Sequence, residues 1–198
     1  MPGRIETVPD PRNDVVAAVD EYLRQTELPV ERGPGGRFSV ELPGEHKLRT
    51  SCSLRVGDHS LQVSAFVARC PDENTAAVHR WLLQRNGRLQ GVAFSIDLAG
   101  DIYLLGQLPL AAVTEDTLDQ IVGAVAAAAD DAFDPILTLG FASSIRREWA
   151  WRLARGESTV NLGAFEHLRP PGPDTDSAAA RTRYARGHDD AAGPAPSR

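Results

Sequence analysis

Residues 48–67 read LRTSCSLRVGDHSLQVSAFV, and this stretch decides the fold. Gly57-Asp58 is a hairpin-turn signal, so the chain on either side reads as two antiparallel strands. If those two residues are the loop, Val56 pairs with His59, Leu54 with Leu61, Cys52 with Val63 and Leu48 with Val67. One face then holds Leu48, Cys52, Leu54, Val56, Leu61, Val63, Ala65 and Val67. The other holds Arg49, Ser51, Ser53, Arg55, Ser60, Gln62 and Ser64. Successive strand side chains point to opposite faces, and two runs choosing the same face fix the register. Cys70 lies far along the hairpin from Cys52. A disulfide spans at most about 7 Å between Cα atoms, so two free thiols are expected.

The same reading extends outward. A helix is expected from about 13 to 25, capped by Asn13, with Val15, Val16, Val19, Tyr22 and Leu23 on one stripe. GPGG at 33–36 breaks the chain. Phe38, Val40 and Leu42 then alternate with Ser39 and Glu41 as a strand, and Pro43-Gly44 turns it. A second helix is expected over 73–86, capped by Asp72 and stopped at Asn86-Gly87, with Val78, Trp81, Leu82 and Leu83 supplying its packed side. Val92, Phe94, Ile96 and Leu98 alternate, Gly100 turns, and IYLLGQL (102–108) returns. That last run is apolar on both faces around Tyr103 and Leu105, which suits a central or doubly covered strand. Thr114 caps a helix packed through Leu118, Ile121, Val122 and Val125. Asp134-Pro135 opens a further helical piece. The order is helix, three strands, helix, two strands, helices: an α+β fold with a five-stranded antiparallel sheet and helices on one main face.

Of the 198 residues, 42% are hydrophobic and 24% charged, enough for one buried core. The expected organisation is a flexible N-terminus over 1–12, one domain over 13–168, and a disordered C-terminal tail over 169–198 rich in Pro, Gly, Ala and charge. A net charge of −6 disfavours nucleic-acid binding, which needs a basic footprint. No apolar run reaches the ~18 residues that suggest a membrane span, and the N-terminus has no signal-peptide core. A cytoplasmic protein is expected. GxSxG, HExxH, P-loop and GxGxxG motifs are all missing, and the five histidines share no motif, so neither catalytic residues, metal ligands nor a cofactor are assigned. His79, beside Trp81, reads as a half-buried packing residue.

Four groups of residues bear on function. Asp97 and Asp101 flank a hairpin tip and either hold a cation or cap local N–H groups; the turn role is the favoured one. Asp130 and Asp131 read as a solvated helix end. Arg49 and Arg55 project from the polar face of the hairpin and either meet a partner or face water, water being favoured. The segment GFASSIRREWAWRLARG (140–156) carries Phe141, Ile145, Trp149 and Leu153 on one apolar face, with the stem of Arg152 beside it. Trp151 is left over. It either packs against its own chain, the favoured reading, or forms an aromatic–cationic patch with Arg147 and Arg155, the residue types of interface hot spots.

Two runs carry a family resemblance: VSAFVARCPDENTAAVHRWLLQRNGRLQGVAFSIDLAGDIYLLGQLPL (63–110) and LGFASSIRREWAWRL (139–153). Together they resemble the bacterial YbjN-domain family in its actinobacterial form, described as sensory-transduction regulators. The family is similar in fold to type III secretion chaperones. The resemblance covers about 13–168 and implies a domain without agreed catalytic residues. It implies a non-enzymatic, chaperone-like or regulatory module that binds a segment of a protein partner, with a homodimer as one arrangement. The alternative is a small-ligand sensor or enzyme with a pocket between the sheet and the last helices.

Overall fold

The computed structural model describes residues 10–171. Most of the N-terminal segment and tail expected from the sequence lies outside the described residues. The elements are α1 (Pro11–Gln25), β1 (Val30–Gly33), β2 (Arg37–Pro43), β3 (Arg49–Val56), β4 (Ser60–Ala68), α2 (Thr75–Asn86), β5 (Val92–Ile96), β6 (Ile102–Pro109), α3 (Glu115–Gly140) and α4 (Ala142–Arg155). The fold is α+β, but the antiparallel sheet has six strands rather than five, in the spatial order β1-β2-β3-β4-β6-β5. The chain divides into two compact units, one ending at Ser144 and one starting at Ile145.

The additional strand is β1. GPGG is a hairpin turn rather than a break: Gly33 pairs with Arg37, and Gly35 and Gly36 adopt φ of 69° and 71°, which glycine tolerates at no steric cost. β1 was hidden because its alternation is polar. Arg32, opposite Phe38, donates from Nε to Asp20 Oδ1 on α1 at 2.6 Å. An ion pair there takes the place of an apolar contact.

The β3–β4 hairpin forms with its register moved by two residues. Val56 pairs with Leu61, Leu54 with Val63 and Cys52 with Ala65. Two-residue hairpin loops need positive φ at a central residue, and neither Gly57 nor Asp58 has it. The loop between the strands is instead residues 57–59, and Gly57 N–H donates across it to Ser60 O at 2.9 Å. An even shift keeps every side chain on its face. Two expected placements change: Leu48 precedes β3 and is exposed, and Ser60 is buried.

In the first unit α3 packs on β3, β4, β5 and β6. α1 lies against α3 and β3, and α2 against α3 and β5. Their shared core includes Val19, Leu23, Val40, Leu54, Leu61, Ile102, Leu104, Leu118 and Ile136, all buried. Burying each such side chain contributes roughly 1.5–3 kcal/mol. α1 starts at Pro11, not Asn13, because Asp10 is its cap and accepts from Arg12 N–H at 3.0 Å. α2 starts after Asn74, whose side chain makes no cap bond, rather than at Asp72; Asp72 instead pairs with Arg69 and accepts from Ser144 Oγ. Leu83 is exposed and Trp81 half-buried, so α2 packs through Val78 and Leu82. Ile96 and Leu98 are exposed at the β5 end and hairpin tip. Pro135 opens no new helix: α3 runs through it, with Thr114 and Thr117 forming a capping box at its start.

Asp130 and Asp131 lie inside α3 and are both engaged. Asp131 pairs with Arg85 at 2.7 Å. Asp130 Oδ1 accepts the N–H groups of His46 at 2.9 Å and Lys47 at 2.8 Å. Burial pushes its carboxyl up, but the N–H groups of Lys47, Glu45 and His46 outweigh it and hold the carboxyl below its ordinary value. One turn on, His46 Nδ1 lies 2.8 Å from Asp134 Oδ2. Gly44 is required at this clamp, since a Cβ there would sit 2.3 Å from Asp130 Oδ1.

Asp130→Ala leaves these N–H groups without their acceptor, and urea unfolding is expected to lose about 2 kcal/mol; an unchanged midpoint contradicts the clamp. The hydrogen bond to Asp134, then its charge, raises the His46 pKa. The stabilisation is thus fully present below the unfolded value near 6.5 and is lost as pH rises through the folded value. An NMR titration should place the His46 midpoint above the ordinary value of about 6.5, and Asp134→Asn should lower it.

Candidate functional site

Strand alternation that buries one sheet face leaves the other facing outward. Across that outer face the register aligns Ser39, Ser53, Ser64, Leu105 and Ala93 in one row. A neighbouring row holds Arg37, Arg55, Gln62 and Gln107. Arg49 and Arg55 stand on this face of β3, about 20 Å apart by strand geometry, and both are exposed. Arg55 Nε donates to Gln62 Oε1 at 3.1 Å.

Toward β6 the face becomes apolar. Phe66 and Tyr103 are cross-strand partners whose rings meet edge to face, with centroids 5.5 Å apart. Phe66 is 40% and Leu105 44% exposed, so β6, flanked by β4 and β5, is uncovered on this side. Lys47 Nζ lies 5.4 Å from the Phe66 ring centroid, and burial lowers the Lys47 pKa. The face thus offers small hydroxyls and guanidinium groups at one end and half-exposed rings at the other. Its apolar end was overlooked in the sequence, where Phe66 and Tyr103 sit in runs apolar on both faces.

The sheet edge at β5 is closed. Asn86 Oδ1 accepts from Phe94 N–H at 2.7 Å, and its Nδ2 donates to Phe94 O at 3.2 Å. This amide occupies both main-chain groups of the middle edge residue, where another strand would otherwise add. Sequence reading saw Asn86 only as a helix stop.

In the second unit Trp149 is buried, and its Nε1 donates to Phe165 O at 3.2 Å, as its place on the apolar stripe required. Leu153, expected on the same stripe, is 40% exposed because it lies in the last turn of α4. Trp151 departs from the favoured packed reading: it is 43% exposed, and the Arg155 guanidinium stacks over its ring at 4.6 Å. Arg147 is exposed on the same helix and already has a partner within the chain. Arg152 pairs with Glu148 at 2.6 Å and donates to Ser158 O.

The remaining candidates resolve as local structure. Asp97 Oδ1 accepts from the N–H groups of Ala99 and Asp101, and Asp101 Oδ1 from Cys70 N–H. The Asp97 carboxylate caps the turn, while that of Asp101 ties the turn to Cys70 just past the end of β4. Cys52 and Cys70 are free thiols, and burial pushes Cys52 up to about 12. His79 is half-buried, with its Nε2 buried and without a partner. Among the described residues no His/Cys/Asp/Glu group is arranged to hold a metal ion, and no helix is long and apolar enough to cross a membrane.

Asn86→Ala should cost about 1–3 kcal/mol through the two freed groups of Phe94. It should also produce concentration-dependent association in sedimentation velocity. A monodisperse variant with the wild-type urea midpoint contradicts the edge role.

Residues 16–138 match the model of the YbjN family, described as "Putative bacterial sensory transduction regulator". The chain is 53% identical over 148 residues to the uncharacterized protein Rv0487 of Mycobacterium tuberculosis, covering 75% of this chain and 81% of that one. It is 49% identical over 150 residues to the uncharacterized protein ML2442 of Mycobacterium leprae, covering 76% and 79%. Among solved structures it is similar to a chain of the ExsC-ExsE complex, with TM-score 0.48, 18% identity and coverage of 63% of this chain and 94% of that one. It is also similar to a chain of the Yersinia pestis type III secretion chaperone SycH in complex with a YscM2 fragment, with TM-score 0.43, 15% identity and coverage of 63% and 98%. With its family match and its mycobacterial relatives, the chain belongs to the YbjN family.

Proposed function

We propose that this chain is a non-enzymatic, chaperone-like or regulatory protein-interaction module of the bacterial cytoplasm. It docks a segment of a protein partner on the outer face of its sheet. One observation carries the reading: a broad face that runs from Arg49, Ser53 and Arg55 to Phe66, Tyr103 and Leu105 and is exposed or half-exposed throughout. Such a face suits an extended segment. Serine hydroxyls donate and accept, guanidinium groups take carboxylates, and the half-exposed rings offer apolar contact. Trp151 under Arg155, with Arg147 on the same helix, supplies a second contact surface of the residue types that dominate interfaces. The blocked β5 edge favours docking on the face over strand addition. The inner face of the sheet is filled by core side chains, which weighs against a ligand chamber there.

The test is affinity purification from the native bacterium with mass spectrometry, alongside sizing of the pure protein. Ser53→Arg with Leu105→Asp alters the outer face at two exposed positions and should leave stability within about 0.5 kcal/mol. It is expected to cut recovery of a partner by about tenfold, the effect of losing roughly 1.4 kcal/mol of binding free energy. Trp151→Ala with Arg147→Ala reports on the second surface. Undiminished recovery by the Ser53/Leu105 variant counts against the outer face, and no enriched partner for the wild type counts against an interaction module.

A further inference from the structure

We infer that one corner of the outer face is an oxyanion site, and that it takes an acidic residue of the docked segment. Arg37 and Arg55 are direct cross-strand partners on β2 and β3. Like charges placed directly opposite destabilise a sheet, so this pair calls for a compensating anion. None is supplied in its row, which continues through Gln62 and Gln107 without a carboxylate. Arg55 is steadied by Gln62, while the Arg37 side chain has no hydrogen bond or ion pair among the described residues. A third guanidinium joins from α1: Arg12 Nη2 donates to Gly35 O at 2.7 Å, which fixes it at the rim.

These groups line one concavity of about 640 Å³. Its one carboxylate, Asp58, is 88% exposed and stands 3.9 Å from Arg12. Three cations against one loosely held anion is a marked local excess in a chain of net charge −6.

The chemistry points to a carboxylate. Guanidinium forks on adjacent strands, about 4.8 Å apart, match a two-oxygen anion that both can hold. The lining has no Phe, Tyr or Trp to stack a base. It shares Arg55 and Gln62 with the outer face, so a segment crossing that face reaches it without a turn. The assignment of a peptide occupant rests on the docking reading above. It adds that the segment is acidic at this end.

Fluorescence anisotropy on the full chain tests it, with a labelled peptide containing six consecutive glutamates and its all-glutamine counterpart as probes. The glutamate peptide should bind at least about tenfold tighter, the gap closing as salt screens the charges. Arg37→Gln with Arg55→Gln should abolish that preference, and Arg80→Gln with Arg88→Gln, equal in charge but on and just beyond α2, should leave it. Arg37→Lys with Arg55→Lys should recover part of it, since charge returns without the fork. Equal binding of the two peptides, or equal loss in the control variant, overturns the inference. Binding of inorganic phosphate without the glutamate peptide also overturns it, in favour of a small-anion site. If the peptide fails while the Ser53/Leu105 variant still sheds a partner, only the acidic anchor falls. If that variant also keeps its partner, the docking reading falls too.

Discussion

Burial of one face of the sheet beneath α3 is the constraint on which the rest depends. The helix lies across β3, β4, β5 and β6, so the inward positions on those strands are mostly apolar and buried, with polar Thr50 buried among them and Ile96 exposed at the β5 end. Period-two geometry then forces the alternate positions outward. The outer face is therefore a consequence of building the core. What the chain places there is not dictated by stability, and it has placed serines, arginines and half-exposed rings. Holding α3 in position matters correspondingly. Asp130 on α3 ties down the loop between β2 and β3, and Gly44 is the residue that lets the two approach.

The same constraint explains what sequence reading recovered. Wherever apolar burial writes the pattern, as in Cys52, Leu54, Val56, Leu61, Val63 and Ala65, both strand and face were legible. The register was not, because a slip of two residues moves no side chain between faces; turn geometry decides it, and Gly57-Asp58 suggested a shorter loop than forms. β1 escaped because its inward contact is the Arg32–Asp20 ion pair rather than a hydrophobic one. Helix starts shifted by two or three residues: Asn13 and Asp72 both suit a cap, but a local bond from Arg12 N–H makes Asp10 the cap of α1, and α2 starts after Asn74, whose amide donates to the distant Leu139 O.

The candidate site was legible in part. Arg49 and Arg55 followed from alternation alone. The apolar patch of Phe66, Tyr103 and Leu105 did not, since a half-exposed aromatic reads like a core residue until the uncovered side of the sheet is known. Asn86 gave no signal of its edge role, because its partner Phe94 lies eight residues away across a loop. Spacing alone does not separate a buried Trp151 from an exposed one. Its exposure, under the Arg155 guanidinium, keeps that helix surface in contention as a second contact.

Photo-crosslinking in the native cell tests most directly whether the outer face is where a partner docks. A photoreactive amino acid would replace Ser53 at the centre of the face, Trp151 on α4 or, as a control, the exposed Gln84 on α2. A discrete crosslinked protein from position 53 and none from position 84 is the predicted result. Crosslinks absent from position 53, or no stronger there than at position 84, would contradict an outer-face docking surface.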